Sequence, residues 1–153
     1  MKWFKIASMV FLIFIVLGVG ACSSKGKTSL PVQDVTVFKG GSCGCCGVYS
    51  QYLGRQGLTV ENIDMPDISV AKNQFNIPSA MESCHTTQIG DYFVEGHIPT
   101  EAMEKLMSEK PDIAGIAMPG MPSGSPGMPG AKQGPFVIYA IDKDGSITEF
   151  MRI

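Results

Sequence analysis

The densest chemistry in the chain is Cys43-Gly44-Cys45-Cys46-Gly47, a cluster of thiols in five residues. An apolar run, Val35-Thr36-Val37-Phe38, comes before it, and a helix-like run, Val48-Tyr49-Ser50-Gln51-Tyr52-Leu53, follows. The thiols therefore fall where a strand hands over to the first turn of a helix. Free amides and the helix dipole favour negative charge there, which makes thiolate available for redox chemistry or for a metal. On a helix start Cys43 and Cys46 share a face, and Cys45 is expected to point elsewhere.

The elements that must position these thiols read off in order. Gln33 to Lys39 is a strand, with Gly40-Gly41-Ser42 as a tight connection. Gly47 to about Arg55 is a helix closed by Gly57, and Leu58 to Ile63 is a second, alternating strand. Asp67 caps a short helix through Gln74, with Ile68, Val70, Ala71 and Phe75 as its apolar side. His85 to Ile89 and Tyr92 to Gly96 flank Gly90-Asp91, a two-residue hairpin turn. Thr100 is placed to cap a helix running to about Glu109, in which Met103 and Met107 are core filler. Phe136 to Ile141 and Ile147 to Met151 form a second hairpin around Asp142-Lys143-Asp144-Gly145. The order βαβα then ββα, with Cys-x-x-Cys at the first strand–helix turn, is that of a thioredoxin-like α/β fold. The C-terminal hairpin and a Met/Pro/Gly loop are additions to it.

In that fold the third strand runs antiparallel beside the first, so its start, Ser83-Cys84-His85-Thr86, lies near the thiols. A thioredoxin-like protein normally carries a cis-proline there; this chain offers a thiol and an imidazole instead. The two-residue turn sets opposing hairpin positions to sum to 181, which puts His97 opposite Cys84 at a Cβ separation of roughly 4.5–5.5 Å. Cys43, Cys45, Cys46, Cys84, His85 and His97 are thus expected at one edge of the sheet. Adjacent strand residues face opposite sides, so Cys84 and His85 both reach a common ion only if the backbone turns between them. The loop from Pro119 to Gly134, with Met118 just before it and Met121 and Met128 within it, has two readings. Its thioethers are soft ligands that with thiolates select Cu(I), or they form a lid over an apolar sheet edge.

The N-terminal residues address the protein. Met1-Lys2-Trp3-Phe4-Lys5 is positive, Ile6 to Val19 is almost wholly apolar, and Val19-Gly20-Ala21-Cys22 resembles the lipobox of bacterial lipoproteins. That resemblance implies residues 1–22 as a signal peptide, acylation of Cys22 and an exported, membrane-tethered protein; the alternative is an uncleaved N-terminal anchor, which also leaves the domain outside the cytoplasm. Residues 23–32 read as a flexible tether and 33–153 as the folded domain. Outside the cytoplasm the remaining cysteines are free to form disulfides. A net charge of −2 without a basic stripe gives no footprint for nucleic acid, and no glycine run has the lysine and helix context of a nucleotide-binding loop.

Four separated motifs add a resemblance. Val37-Phe38-Lys39-Gly40-Gly41-Ser42-Cys43-Gly44-Cys45-Cys46-Gly47, Ser83-Cys84-His85-Thr86, Glu95-Gly96-His97-Ile98-Pro99 and the run from Pro119 to Met128 together resemble a small bacterial family of unknown function, whose members are commonly labelled metal-binding proteins. The resemblance covers about Val35 to the C-terminus and implies a thioredoxin-like fold, export and an association with copper handling. Gly40-Gly41-Ser42 departs from the family's more usual Ser-Pro-Thr, which changes loop stiffness and leaves the donors in place.

The leading reading is a lipid-anchored protein that binds Cu(I), or transfers it to a copper-handling partner, in copper homeostasis. Its ligands would be Cys43, Cys46, Cys84 and His85, with Cys45, His97, Met118, Met121 and Met128 as further candidates. Two others stand beside it: a thiol–disulfide oxidoreductase with Cys43 as nucleophile and Cys46 as resolving thiol, and a structural zinc site of three Cys and one His.

Overall fold

A computed structural model describes residues 34–153. The expected signal peptide, the lipobox-like Cys22 and the whole of the expected tether lie outside the described residues. No helix among those described is long and apolar enough to cross a membrane.

The chain forms β1 (Asp34–Gly40), α1 (Gly44–Arg55), β2 (Thr59–Met65), α2 (Ser69–Gln74), a 3-10 turn at Ser79–Met81, β3 (His85–Ile89), β4 (Tyr92–Glu95), α3 (Thr100–Glu109), β5 (Gly115–Ala117), β6 (Val137–Ile141) and β7 (Ile147–Arg152). These strands make one sheet in the order β2-β1-β3-β4-β5-β6-β7. β1 and β2 are parallel, as are β4 and β5, and every other neighbouring pair is antiparallel. The βαβ opening and the ββα that follows give the thioredoxin-like order expected from the sequence, extended by the β6–β7 hairpin. β5, three residues beginning with glycine, is an element the sequence reading left inside a connection. So short a run carries little strand signal, and pairing to β4 and β6 decides it.

Alternation along the strands builds two apolar layers. Val35, Val37, Val94, Ile116 and Ile138 pack with Tyr49 and Leu53 of α1 and Met103 and Leu106 of α3. Ile77, Phe93, Ala117 and Ile141 pack on the other side, with Phe75 against them. Met103 and Met107 are core residues, as the helical spacing indicated.

Three local expectations are corrected. α1 starts at Gly44, before the predicted Gly47, so Cys45 and Cys46 lie within its first turn and Cys43 is its N-cap. On α2 the buried residues are Ala71 and Lys72, whereas Val70 is 56% exposed; Lys72 finds an ionic partner beneath the helix, as described below. Thr100 is the first helical residue and Pro99 the N-cap. The Thr100 hydroxyl and amide both meet the Tyr52 hydroxyl, each at 3.0 Å, which ties α3 to α1.

Candidate metal centre

The register of the sheet carries Cys84 to the thiol turn. Lys39 of β1 pairs with His85 of β3, so one step further the chain leaves β1 at Gly40 beside Cys84. There the Cys43 amide donates to the Gly40 carbonyl at 3.0 Å, closing the turn that presents the first thiol. Cys43 and Cys46 are joined in a disulfide across a Cα separation of 5.4 Å. Cys45 and Cys84 are free thiols. The Cys45 sulfur lies 3.5 Å from that of Cys43 and 4.0 Å from that of Cys84. Cys45 therefore points into the cluster, contrary to the helical-face expectation, because Cys43 caps the helix from extended backbone and does not share its face geometry.

The hairpin supplies the nitrogen donors. Its register, Thr86↔Glu95 through Ile89↔Tyr92, is the predicted one, and just past it the Cys84 sulfur lies 3.1 Å from His97 Nε2. The backbone bends at Cys84 before the strand begins, which turns its sulfur to within 3.3 Å of His85 Nδ1. That bend removes the obstacle strand alternation posed to Cys84 and His85 acting together. In all, the sulfurs of Cys43, Cys45, Cys46 and Cys84 form one group and Cys84, His85 and His97 a second. Within each group the ligand atoms lie within 4.8 Å of one another, and Cys84 is common to both.

Hydrogen bonding fixes the His97 tautomer. His97 Nδ1 is 2.7 Å from the Pro126 carbonyl. A carbonyl only accepts, so Nδ1 carries the proton and Nε2 presents a lone pair to Cys84. The Cys84 thiol can donate to that lone pair, His85 Nδ1 lies 3.3 Å from the same sulfur, and His85 Nε2 is buried with no hydrogen-bond partner in reach. An orphaned imidazole nitrogen and sulfurs at non-bonded distance are the chemistry of a soft-metal donor set.

Burial holds Cys84, His85 and His97 in their uncharged forms in the metal-free site. Burial, reinforced by Cys45, pushes the Cys84 thiol up to about 12. Burial, then His97 and Lys72, brings His85 down to about 3, and burial also lowers His97 against the pull of the Pro126 hydrogen bond. A cation entering here displaces the Cys84 proton and meets imidazoles that are already unprotonated.

Three supporting residues escaped the sequence reading. Tyr49, one helical turn after Cys46, donates to the Ile98 carbonyl at 2.9 Å. Its ring lies 4.5 Å from that of His85 and 5.4 Å from that of His97, forming an apolar wall behind both. Its i+3 spacing from Cys46 was the available signal. Pro126, whose carbonyl holds His97, and Glu95, buried beneath the Cys84–His85 pair, lay inside two of the motifs but carried no signal of these contacts. The methionines divide. Met118 belongs to the apolar core, Met121 is 50% exposed and Met128 is half-buried. The loop is fastened to the site at three points: Ser83 Oγ to the Gly120 carbonyl at 2.7 Å, Pro126 to His97, and Gly127 against α1. The loop therefore lies against the cysteine–histidine site, and Met118 is spent on packing.

The fold and this donor set define the class: a thioredoxin-like α/β domain carrying a cysteine–histidine centre suited to metal, copper included. Residues 81–128 match the family described as "Protein of unknown function, DUF411". Two solved structures, titled copper resistance protein CopG in form 1 and form 2, are each 34% identical to this chain. Each alignment covers 80% of this chain and 98% of the other, with TM-scores of 0.73 and 0.74. At that identity and coverage the chain belongs to one family with those copper resistance proteins, and its residues 81–128 carry the match to the family of unknown function. Among curated proteins nothing matches it.

Proposed function

We propose that this protein binds Cu(I) outside the cytoplasm, held to a membrane through a lipid on Cys22, and hands the ion to another copper-handling protein. The observation that carries the proposal is the convergence of four cysteine sulfurs and two neutral imidazoles around Cys84. Thiolates favour soft ions, Cu(I) and zinc among them, thioethers nearby tilt the choice to Cu(I), and imidazole is a competent partner for it. Cys84, Cys45, His97 and His85 are free as the structure stands, and Cys43 and Cys46 join the donor set once their disulfide is reduced. Met121 and Met128, on the loop over the site, are further thioether donors to Cu(I) in this reading. The similarity to copper resistance proteins over nearly their whole length supports it.

The test is competition for Cu(I) between the reduced protein and a chromophoric chelator, with Zn(II) titrated in parallel. Tight Cu(I) binding that weakens in Cys84→Ser and in Cys43→Ser/Cys46→Ser supports the reading. Preference for Zn(II) would transfer the site to structural zinc. The Cys43–Cys46 disulfide favours a second reading, thiol–disulfide exchange. In that reaction the reduced Cys43 thiolate attacks a partner disulfide and releases one partner thiolate. Cys46 then attacks the mixed disulfide, freeing the second and closing the bond seen here. Weak affinity for both metals, with rapid exchange against glutathione, would establish that chemistry instead.

A further inference from the structure

Beneath the donor cluster lies a buried ion pair that the copper-binding proposal does not use. Glu95 ends β4 on the same face as Phe93, the face α2 covers, and Lys72 of α2 reaches down to it; the side chains are 0% and 4% exposed. Glu95 Oε1 accepts from Lys72 Nζ and from the Ser83 amide, the latter at 2.5 Å. Glu95 Oε2 accepts from the Thr86 hydroxyl at 2.6 Å. Ser83 immediately precedes Cys84 and Thr86 immediately follows His85, so one carboxylate clasps both ends of the donor dipeptide. Two residues after Glu95 comes His97, the third member of the same group. As a contribution to stability alone this arrangement is poorly chosen, since apolar residues of similar volume serve a core as well or better than a buried ion pair.

We infer that Glu95, held in place by Lys72, is a positioning residue for the metal centre: its carboxylate sets the bend that turns Cys84 and His85 toward His97. The inference rests on the copper-binding reading for its consequence in affinity and on the metal-free geometry for its mechanism. Outer-shell groups of this kind typically change metal affinity 10–100-fold when removed.

Two double variants of the full chain separate this role from a merely structural one. Lys72→Met/Glu95→Leu removes both charges and the clasp while filling the volume. Lys72→Met/Glu95→Gln removes both charges but retains an amide oxygen for the Ser83 amide and an amide group for Thr86. The expected result is a roughly 10–100-fold loss of Cu(I) affinity in the leucine variant, with most of it restored in the glutamine variant, although both fold. The imidazole nitrogen chemical shifts of His85 and His97 in the metal-free proteins provide a readout independent of copper. They report the contacts to Cys84, and they should move in the leucine variant and return in the glutamine variant. Unchanged shifts in the leucine variant overturn the inference, as does an affinity equal to that of the parent. If the parent itself binds no copper, the proposed function falls. The shift comparison then still decides whether Glu95 sets the bend.

Discussion

Gly127 is the point at which the loop over the site presses on the helix beneath it. Its φ is +84°, and a Cβ placed there would lie 2.9 Å from the Tyr49 nitrogen, 3.1 Å from Tyr49 Cα and 3.2 Å from the Cys45 carbonyl oxygen. All three are backbone atoms of α1, so no side chain can swing aside. Gly127→Ala therefore meets two penalties: about 1–2 kcal/mol for a β-carbon in left-handed backbone and about 1–3 kcal/mol for overpacking. The cheaper relief is for the loop to lift away. The neighbouring Pro126 carbonyl then leaves His97 Nδ1, from which it stands at 2.7 Å, and His97 Nε2 loses its fixed aim at Cys84. We expect a roughly 10–100-fold weaker Cu(I) affinity, the range for loss of an outer-shell partner, measured by chelator competition. A new His97 tautomer balance should appear in nitrogen-detected spectra. Gly134→Ala is the control, since nothing lies within 4 Å of its Cβ position. If Gly127→Ala binds Cu(I) within twofold of the parent and keeps the Nδ1–H tautomer, the loop does not hold His97 as argued.

Further predictions concern the site and its address. In the metal-free protein His85 titrates near 3 against an ordinary 6.5, so the unfolded chain takes up the proton first as pH falls. Stability is thus fully present above about 6.5 and is lost below it, by about 3 kcal/mol at pH 4; urea denaturation across that range reads the slope, which should flatten in His85→Phe. Tyr49→Phe strands the Ile98 carbonyl but keeps the ring behind the imidazoles, so it should lower stability by about 1–3 kcal/mol while Cu(I) affinity stays within about threefold, a factor worth less than 1 kcal/mol. Cys22→Ser should abolish incorporation of a labelled fatty acid into the protein in an expressing cell, and a parent that takes up no label would remove the lipid anchor from the account.

How much of this was legible beforehand depended on whether the signal was local. The hairpin turn at Gly90-Asp91 fixed the register arithmetic, and with it His97 beside Cys84, because a two-residue turn leaves no freedom in pairing. The thioredoxin-like order followed equally from short, well-punctuated elements. Cys45 was misplaced because Cys43 was treated as part of the helix face; as a capping residue in extended backbone it changes which way the thiols point relative to one another. Lys72 on α2 and Glu95 on β4 each look like ordinary surface charges in sequence. Their pairing depends on α2 lying across the end of β4, a tertiary fact with no local signature. The same holds for Pro126, whose carbonyl matters only because a loop 29 residues after His97 folds back over it.

The central claim is that cysteine sulfur and histidine nitrogen around Cys84 together hold Cu(I). X-ray absorption at the copper edge of the reduced, Cu(I)-loaded protein tests it most directly, beside His97→Phe and Cys84→Ser. The account predicts a Cu(I) edge with a sulfur-dominated ligand shell and a nitrogen contribution that shrinks in His97→Phe, while Cys84→Ser retains little copper. A shell of light atoms alone, or a spectrum that neither substitution alters, would contradict it.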